Sequence, residues 1–228
     1  MQYAVRDEEI IPWGGPEKTL HERWNTDDRP GHWYGASTEF AKDILGKGSG
    51  RSCLVIGSPL FEADSLRELG WDVTYLDIRI PKNPRWKFIQ CDAMGITLPD
   101  ASFDAVSSSC VLTHAGTGRY GDGRDTAHGD EKMLAHVARV LKPDGIAVLT
   151  FGACVARQRM VRLGNWHRIY TLAECRRMLK EAGFNSCEWK VWSSVGKRWL
   201  AEGEQMTQDI HSPDYISFKA WKVNKCGF

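Results

Sequence analysis

Short apolar runs that end in a polar or acidic residue recur from Arg51 to Phe151, with helix-like segments between them. Such runs are typical of parallel strands in an open α/β sheet, which present ligand-binding groups at their carboxyl ends. The predicted strands are 52–56, 73–77, 87–90, 104–108 and 146–151. We therefore expect an α/β protein with a mostly parallel, ligand-binding sheet.

Helices are predicted from apolar residues at helical spacing and from residues that begin or end a helix. They fall at about 61–70, 129–141 and 172–182. Thr171 should cap the last of these. A further helix should begin at Ser37 or Thr38 and end at Gly46 or Gly48. Two more strands follow, near 187–193 and 214–222.

Residues 1–36 differ from the rest because prolines, glycines and scattered aromatic residues interrupt any regular pattern. We expect an irregular N-terminal arm packed on the core, with a short helix around 18–24, and then one domain over 37–228. Aromatic residues of the arm could close over a ligand and exclude water, or simply pack against the outer helices of the sheet. They are Trp24, His32, Trp33 and Tyr34.

Composition limits the classes of function. The 228 residues are 42% hydrophobic and 26% charged, as in ordinary globular proteins, and no apolar run is as long as a membrane helix. The net charge of +1 favours no polyanionic partner, so no nucleic acid is expected to bind. We expect a cytoplasmic protein that acts on a small molecule, does not insert into membranes and could form a homo-oligomer. The seven cysteines contain no CxxC pair, so neither disulfides nor a cysteine zinc site is predicted.

Four features at the strand ends carry a family resemblance: Gly57 after the first strand, Asp77 closing the second, Asp92 after the third, and the KPDG turn before the fifth. Together they resemble the class I S-adenosylmethionine-dependent methyltransferases, over residues 52–222. The resemblance implies a Rossmann-like open twisted sheet with helices on both faces and an antiparallel last strand. VLTHAGTGRYGD and NWHRIY are similar to a group of small methyltransferase-like proteins, some linked to sugar or polysaccharide modification.

The resemblance also implies S-adenosyl-L-methionine as cofactor and a set of residues that hold it. Gly57 lacks a Cβ and would let the backbone approach the methionine part. Asp77 would accept the ribose hydroxyls, and Asp92 would reach the adenine amine. The full predicted cofactor set is Gly57, Ser58, Asp77, Ile78, Arg79, Asp92, Ala93 and Cys110.

Methyl transfer from a sulfonium is an in-line displacement, so a hydroxyl acceptor must be aligned and must lose its proton to a base. His114 follows the fourth strand at the ligand-binding edge and is predicted as that base. His167 is an alternative base, and Asp122 is a further catalytic candidate. In the competing interpretation, His114 only holds the glycine-rich loop that follows it.

The loop 116–125 combines glycines with polar side chains suited to a polar acceptor, although a solvated connection would look similar. The predicted substrate residues are Arg119, Tyr120, Asp125, Arg168 and Tyr170. Arg168 could instead pair with a surface acid. No metal is predicted, because the candidate oxygen and nitrogen ligands match no metal motif. Those candidates are His114, Asp122, Asp125, His128 and Asp130.

The sequence thus predicts a methyltransferase that O-methylates a sugar or a related metabolite. The alternative is a non-catalytic binding or scaffold domain, because the loop Gly57-Ser58-Pro59 has one glycine where the family has several. A nucleic-acid methyltransferase is disfavoured by the balanced charge and by the absence of an NPPY-like tetrapeptide. A dehydrogenase would need the GxGxxG fingerprint, which the chain lacks.

Overall fold

The structure, a computed structural model, describes residues 8–11, 33–81, 84–120, 126–154, 160–209 and 213–222. Within these residues the strands are β1 (Glu8–Ile11), β2 (Ser52–Ile56), β3 (Asp72–Asp77), β4 (Lys87–Gln90), β5 (Phe103–Ser109), β6 (Leu141–Ala153), β7 (Met160–Leu163), β8 (His167–Ile169), β9 (Ser186–Ser193), β10 (Arg198–Trp199) and β11 (Asp214–Trp221). The helices are α1 (Trp33–Leu45), α2 (Leu60–Glu68), α3 (Gly129–Val140) and α4 (Leu172–Glu181).

The main sheet has eight strands in the order β10-β9-β11-β6-β5-β2-β3-β4. Strands β2 to β6 pair in parallel, whereas β11 runs antiparallel to both β6 and β9. The predicted α/β fold, with a mostly parallel sheet and an antiparallel last strand, is confirmed. The chain moves outward from β2 to β4 and then returns to β5 on the other side of β2. Open sheets bind ligands in the crevice at such a reversal.

Side chains of β2 point alternately to the two faces of the sheet, which explains why helices cover both faces. Cys53 and Val55 pack into one core with side chains of α1 and α2. Leu54 and Ile56 point the other way and join the core built with α3 and α4. Successive strand residues face opposite sides, so a continuous apolar run is buried on both. The four side chains are between 0% and 1% exposed, which makes β2 the centre of the fold.

Two local predictions were wrong. Helix α1 begins at Trp33, so Ser37 and Thr38 lie buried inside it and are not caps. The Ser37 hydroxyl donates to the carbonyl of Tyr34 at 2.9 Å, a bond within the helix that sequence alone does not distinguish from a cap. The expected end of the arm at residue 36 falls within this helix. The KPDG segment is also part of β6, where pairing with β5 shifts register between Phe103 and Ala105.

A second, three-stranded sheet was not predicted. In it β7 lies between β1, its parallel neighbour, and β8, its antiparallel one. An isolated bridge between Ala153 and Tyr170 connects β6 to the end of β8. The short helix expected around 18–24 lies outside the described residues, as do Trp24 and His32. Of the other arm aromatics, Trp33 stacks on Tyr215 of β11 at 4.1 Å between ring centres. None of the helices described is both long and apolar enough to span a bilayer.

Thr171 caps α4 as predicted, and this cap can be tested. Its hydroxyl oxygen accepts the backbone amide of Glu174 at 3.1 Å. We expect Thr171→Ala to lower the free energy of unfolding by about 1 kcal/mol, because an amide at the helix start loses its acceptor. Urea denaturation measures this. Thr97→Ala is the matched control, since Thr97 is exposed, and equal losses in the two variants would contradict the cap.

Candidate functional site

A cavity opens at the carboxyl ends of β2, β3, β4 and β5, beside the reversal of strand order. It encloses about 530 Å³, counting its open mouth. Its lining residues are Ile56, Gly57, Leu76, Asp77, Ile78, Arg79, Cys91, Asp92, Ala93, Met94, Val111, His114, Ala115, Gly116 and Tyr120. The cavity therefore has the position of a ligand site in an open α/β sheet.

Gly57 occupies the turn that leaves β2, with a φ of +56°. A Cβ on this residue would lie 2.9 Å from Cγ2 of Val111, on the loop after β5. Both the left-handed backbone and the close approach require glycine here. Ser58, the next residue, turns inward and is 1% exposed. Its hydroxyl accepts the amide of Ser109 at 2.8 Å, so Gly57 lines the cavity whereas Ser58 ties the loop to β5.

Asp77 ends β3 with its carboxylate fully engaged. Arg79 donates to it through Nε at 3.0 Å and through Nη2 at 2.8 Å, and the Arg79 amide adds a third bond at 2.8 Å. Burial disfavours the charge of the Arg79 guanidinium, but the hydrogen bonds to Asp77 outweigh this and raise the pKa of Arg79. The guanidinium also lies 5.2 Å from the ring centre of Tyr120. Arg79 therefore bridges the end of β3 and the loop after β5.

Of the remaining predicted cofactor residues, three line the cavity and one is buried in the protein core. Asp92 accepts the amide of Met94 at 2.8 Å and begins a 3₁₀ turn over Ala93–Gly95. Asp92 and Ala93 line the cavity, as does Ile78. Cys110 does not, because it is 4% exposed, with a φ of +58° and its amide bonded to the carbonyl of Thr150. Burial raises the pKa of its thiol, which keeps it neutral.

His114 lines the cavity from a 3₁₀ turn directly after β5. Its Nδ1 lies 2.8 Å from the carbonyl oxygen of Trp166. Nη1 of Arg119, which only donates, lies at the same 2.8 Å from Nδ1, so the carbonyl and the guanidinium favour opposite tautomers of the ring. Nη1 of Arg119 lies 2.7 Å from Nε2, and the Arg119 guanidinium stacks on the Trp166 ring at 3.8 Å. The turn between β7 and β8 thereby sets the orientation of the histidine.

Arg168 and Tyr170 lie behind the cavity wall and do not line it. Arg168 is 0% exposed and donates to the carbonyls of Ala115 at 2.5 Å and Thr126 at 2.9 Å. The Tyr170 hydroxyl donates to Asp130 at 2.6 Å. These bonds join the two ends of the loop after His114, so both residues hold that loop from inside.

The remaining candidate catalytic, substrate and metal residues do not line the cavity or lie outside the described residues. The His167 ring centre is 6.0 Å from that of His114, but His167 is not among the lining residues. Asp122 and Asp125 lie outside the described residues. His128, a candidate metal ligand, is instead bonded to Glu131 at 2.5 Å.

Sequence reasoning missed Glu62, in the first turn of α2. Its carboxyl group is fully buried and accepts the hydroxyls of Ser107 at 2.7 Å and Ser109 at 2.5 Å. Burial raises the pKa of Glu62, and hydrogen bonds from surrounding hydroxyls reduce this shift. The run of three serines at the end of β5 was visible as a polar end to an apolar strand. Nothing in the sequence indicated that an acidic residue from the following helix would meet it.

Comparison with known proteins supports the predicted resemblance to methyltransferases. A family model described as a methyltransferase domain matches residues 46–149, from the end of α1 into β6. Among curated proteins no sequence matches the chain significantly. The fold is similar to a Burkholderia thailandensis 1,6-didemethyltoxoflavin-N1-methyltransferase with bound S-adenosylhomocysteine, with a TM-score of 0.61 and 16% identity over 86% of this chain and 80% of that one.

Two further solved structures resemble the chain. A putative Haloferax volcanii methyltransferase in complex with the activator Trm112 gives a TM-score of 0.58 and 16% identity, over 86% of this chain and 92% of that one. The (4+2)-cyclase SpnF gives a TM-score of 0.61 and 18% identity, over 86% of each chain. At these identities the structural similarity shows only that the folds are alike. The family match is a similarity of sequence, and it covers residues 46–149. The match over residues 46–149 and the shared fold therefore support the class I S-adenosylmethionine-dependent methyltransferase superfamily, which the strand-end residues predict.

Proposed function

We propose that the protein transfers the methyl group of S-adenosylmethionine to a hydroxyl of a small polar acceptor, in particular a sugar or a related metabolite. The observation that carries this is the joint presence of Gly57, Asp77, Asp92 and His114 around one cavity. Three of these residues suit the parts of the cofactor, and the fourth suits proton transfer. The sugar assignment rests on the resemblance of the stretches around 111–122 and 165–170 to sugar-linked methyltransferase-like proteins.

The cavity fits the cofactor at three points. Gly57 lines the cavity without a side chain, so its backbone would face the methionine part. The carboxylate of Asp77 would accept the ribose hydroxyls, which requires Arg79 to give up at least one of its two side-chain bonds. Asp92 and Ala93 would contact the adenine, with Ile78 against its face. The cofactor supplies an electrophilic methyl group attached to a sulfonium.

His114 is the proposed base for the acceptor hydroxyl. In the tautomer that carries its proton on Nδ1, facing the carbonyl of Trp166, the lone pair of Nε2 takes the proton that the hydroxyl loses. The acceptor would replace Arg119 as the hydrogen-bond donor to Nε2. Arg119 and Tyr120 then lie beside the acceptor, since both are on the same loop as the histidine. This base supports an oxygen acceptor, because a neutral amine can attack without a prior loss of its proton.

A non-catalytic binding domain is the alternative, and one observation favours it. Both carboxylate oxygens of Asp77 are engaged by Arg79, which would compete with the ribose. Calorimetry with S-adenosylmethionine and S-adenosylhomocysteine, followed by a panel of sugars and nucleotide sugars assayed for released S-adenosylhomocysteine, separates the two functions. Methyl transfer to any panel member supports the enzyme. Cofactor binding without transfer supports the alternative.

The proposed contact between Asp77 and the ribose predicts the effect of Asp77→Ala. Loss of a charged acceptor should weaken cofactor binding by about 1.5–3 kcal/mol, or roughly 10- to 150-fold. Asp72→Ala is the control, since Asp72 is exposed at the other end of the same strand. Isothermal titration calorimetry measures both variants. An unchanged dissociation constant in Asp77→Ala would show that the carboxylate does not bind the ribose.

The proposed base predicts a different result for His114→Gln. We expect kcat to fall by about two to four orders of magnitude, as for loss of a general base, while cofactor affinity stays near that of the wild type. His136→Gln, on α3 and away from the cavity lining, should retain full activity. The measurement is the rate of S-adenosylhomocysteine release with the acceptor found in the panel. A kcat within a factor of about three of wild type would exclude His114 as the base.

A further inference from the structure

We propose that Glu62 is a positioning residue for the cofactor, which holds the loop 57–59 in place through a buried cluster of hydroxyl groups. The inference rests on the proposed function, because it concerns the same cofactor site. Glu62 is not among the residues that line the cavity, so any influence on the cofactor must pass through the loop. The loop has a single glycine, so we expect contacts with the rest of the protein to hold its shape.

Hydroxyl groups from two other parts of the chain, α1 and β5, converge on the carboxyl of Glu62. Ser107 and Ser109 of β5 donate to Oε1 and Oε2 at 2.7 and 2.5 Å. Thr38 of α1 donates to Oε2 at 3.4 Å, and the loop joins the cluster through Ser58, whose hydroxyl accepts the amide of Ser109 at 2.8 Å. All five residues are between 0% and 4% exposed. The cluster therefore joins α1, α2, β5 and the cofactor loop at one buried point.

The loop has further anchors, among them the amide of Gly57, which donates to the carbonyl of Leu76 at 2.8 Å, and the Ser58 hydroxyl, which donates to the carbonyl of Ile56 at 3.4 Å. The hydroxyl of Tyr75 donates to the carbonyl of Ser58 at 2.5 Å, and the amide of Ser109 donates to the Ser58 hydroxyl at 2.8 Å. The amide of Glu62 itself donates to the carbonyl of Pro59 at 3.0 Å. Glu62 thus holds the loop through its backbone and its side chain together. Removing the carboxyl would leave the hydroxyls of Ser107 and Ser109 without their shared acceptor.

The environment of Glu62 argues against an incidental core residue. A buried carboxyl costs free energy unless its oxygens are bonded, and here hydroxyls supply every bond that the structure gives to its two oxygens. Hydroxyl groups can donate to either a charged or a neutral carboxyl, so the cluster survives in both protonation states. A fully satisfied buried network specifies one arrangement of its members. The arrangement specified here places Gly57 at the cavity wall.

The experiment compares two substitutions of Glu62 with a control on the same helix. Glu62→Met removes the polar group at similar size, Glu62→Gln keeps an acceptor oxygen, and Glu68→Gln alters an exposed residue of α2. Dissociation constants for S-adenosylmethionine and S-adenosylhomocysteine are measured by calorimetry at a temperature where circular dichroism shows each variant folded. We expect affinity to fall about tenfold or more in Glu62→Met and less than about threefold in Glu62→Gln and Glu68→Gln.

A purely structural role gives a different result: Glu62→Met would unfold at a lower temperature but bind the cofactor with unchanged affinity, and this would overturn the inference. If Glu62→Met does not fold, Ser109→Ala and Ser107→Ala replace it, because each removes one hydroxyl from the same carboxyl and only Ser109 also donates its amide to Ser58 of the loop. Cofactor affinity should fall more in Ser109→Ala, and equal affinities would contradict the proposal. Absence of binding by the wild-type protein would instead refute the proposed function, and the inference with it.

Discussion

The reversal of strand order at β2 is the constraint on which the site depends. The chain leaves β2 through α2 on one face of the sheet, and it later leaves β5 through α3 on the other face. The two crossovers diverge, so no helix covers the carboxyl ends of these neighbouring strands. The gap between them is the cavity. Gly57 at the end of β2 and Val111 after β5 approach across it so closely that a single added methyl group would be in contact.

Two buried ionisable residues hold the loops on the two sides of this gap. Glu62 accepts hydroxyl donors from α1 and from the end of β5, and its amide donates to the carbonyl of Pro59 in the loop after β2. Arg168 donates to carbonyls at both ends of the loop that follows β5. Each has several partners, as a buried polar group requires, and each acts on backbone that would otherwise be free to move. Polar groups in the interior therefore anchor the loops on both sides of the site.

Prediction from sequence succeeded where the signal is local. The bounds of β2 and β4 are those predicted, because an apolar run with a polar end is sufficient to define a buried strand. Thr171 was recognised as a cap because its partner is only three residues away. The caps proposed at Ser37 and Thr38 failed, since the helix extends back to Trp33, whose ring stacks on the distant Tyr215. A contact between residues so far apart leaves no trace in local periodicity.

The sequence by itself determined the order of the strands β2 to β6 with their helices, and the chemical groups at the strand ends: Gly57, Asp77 and Asp92 follow directly from where each apolar run stops. Only the tertiary structure decided which side chains meet. The bonds from Glu62 to β5 join residues 45 and 47 positions apart, and the second sheet pairs β1 with β7 across most of the chain. Such contacts depend on side-chain packing in three dimensions. The sequence pattern indicates which side of a helix or strand is buried. Tertiary packing decides which residues that side contacts.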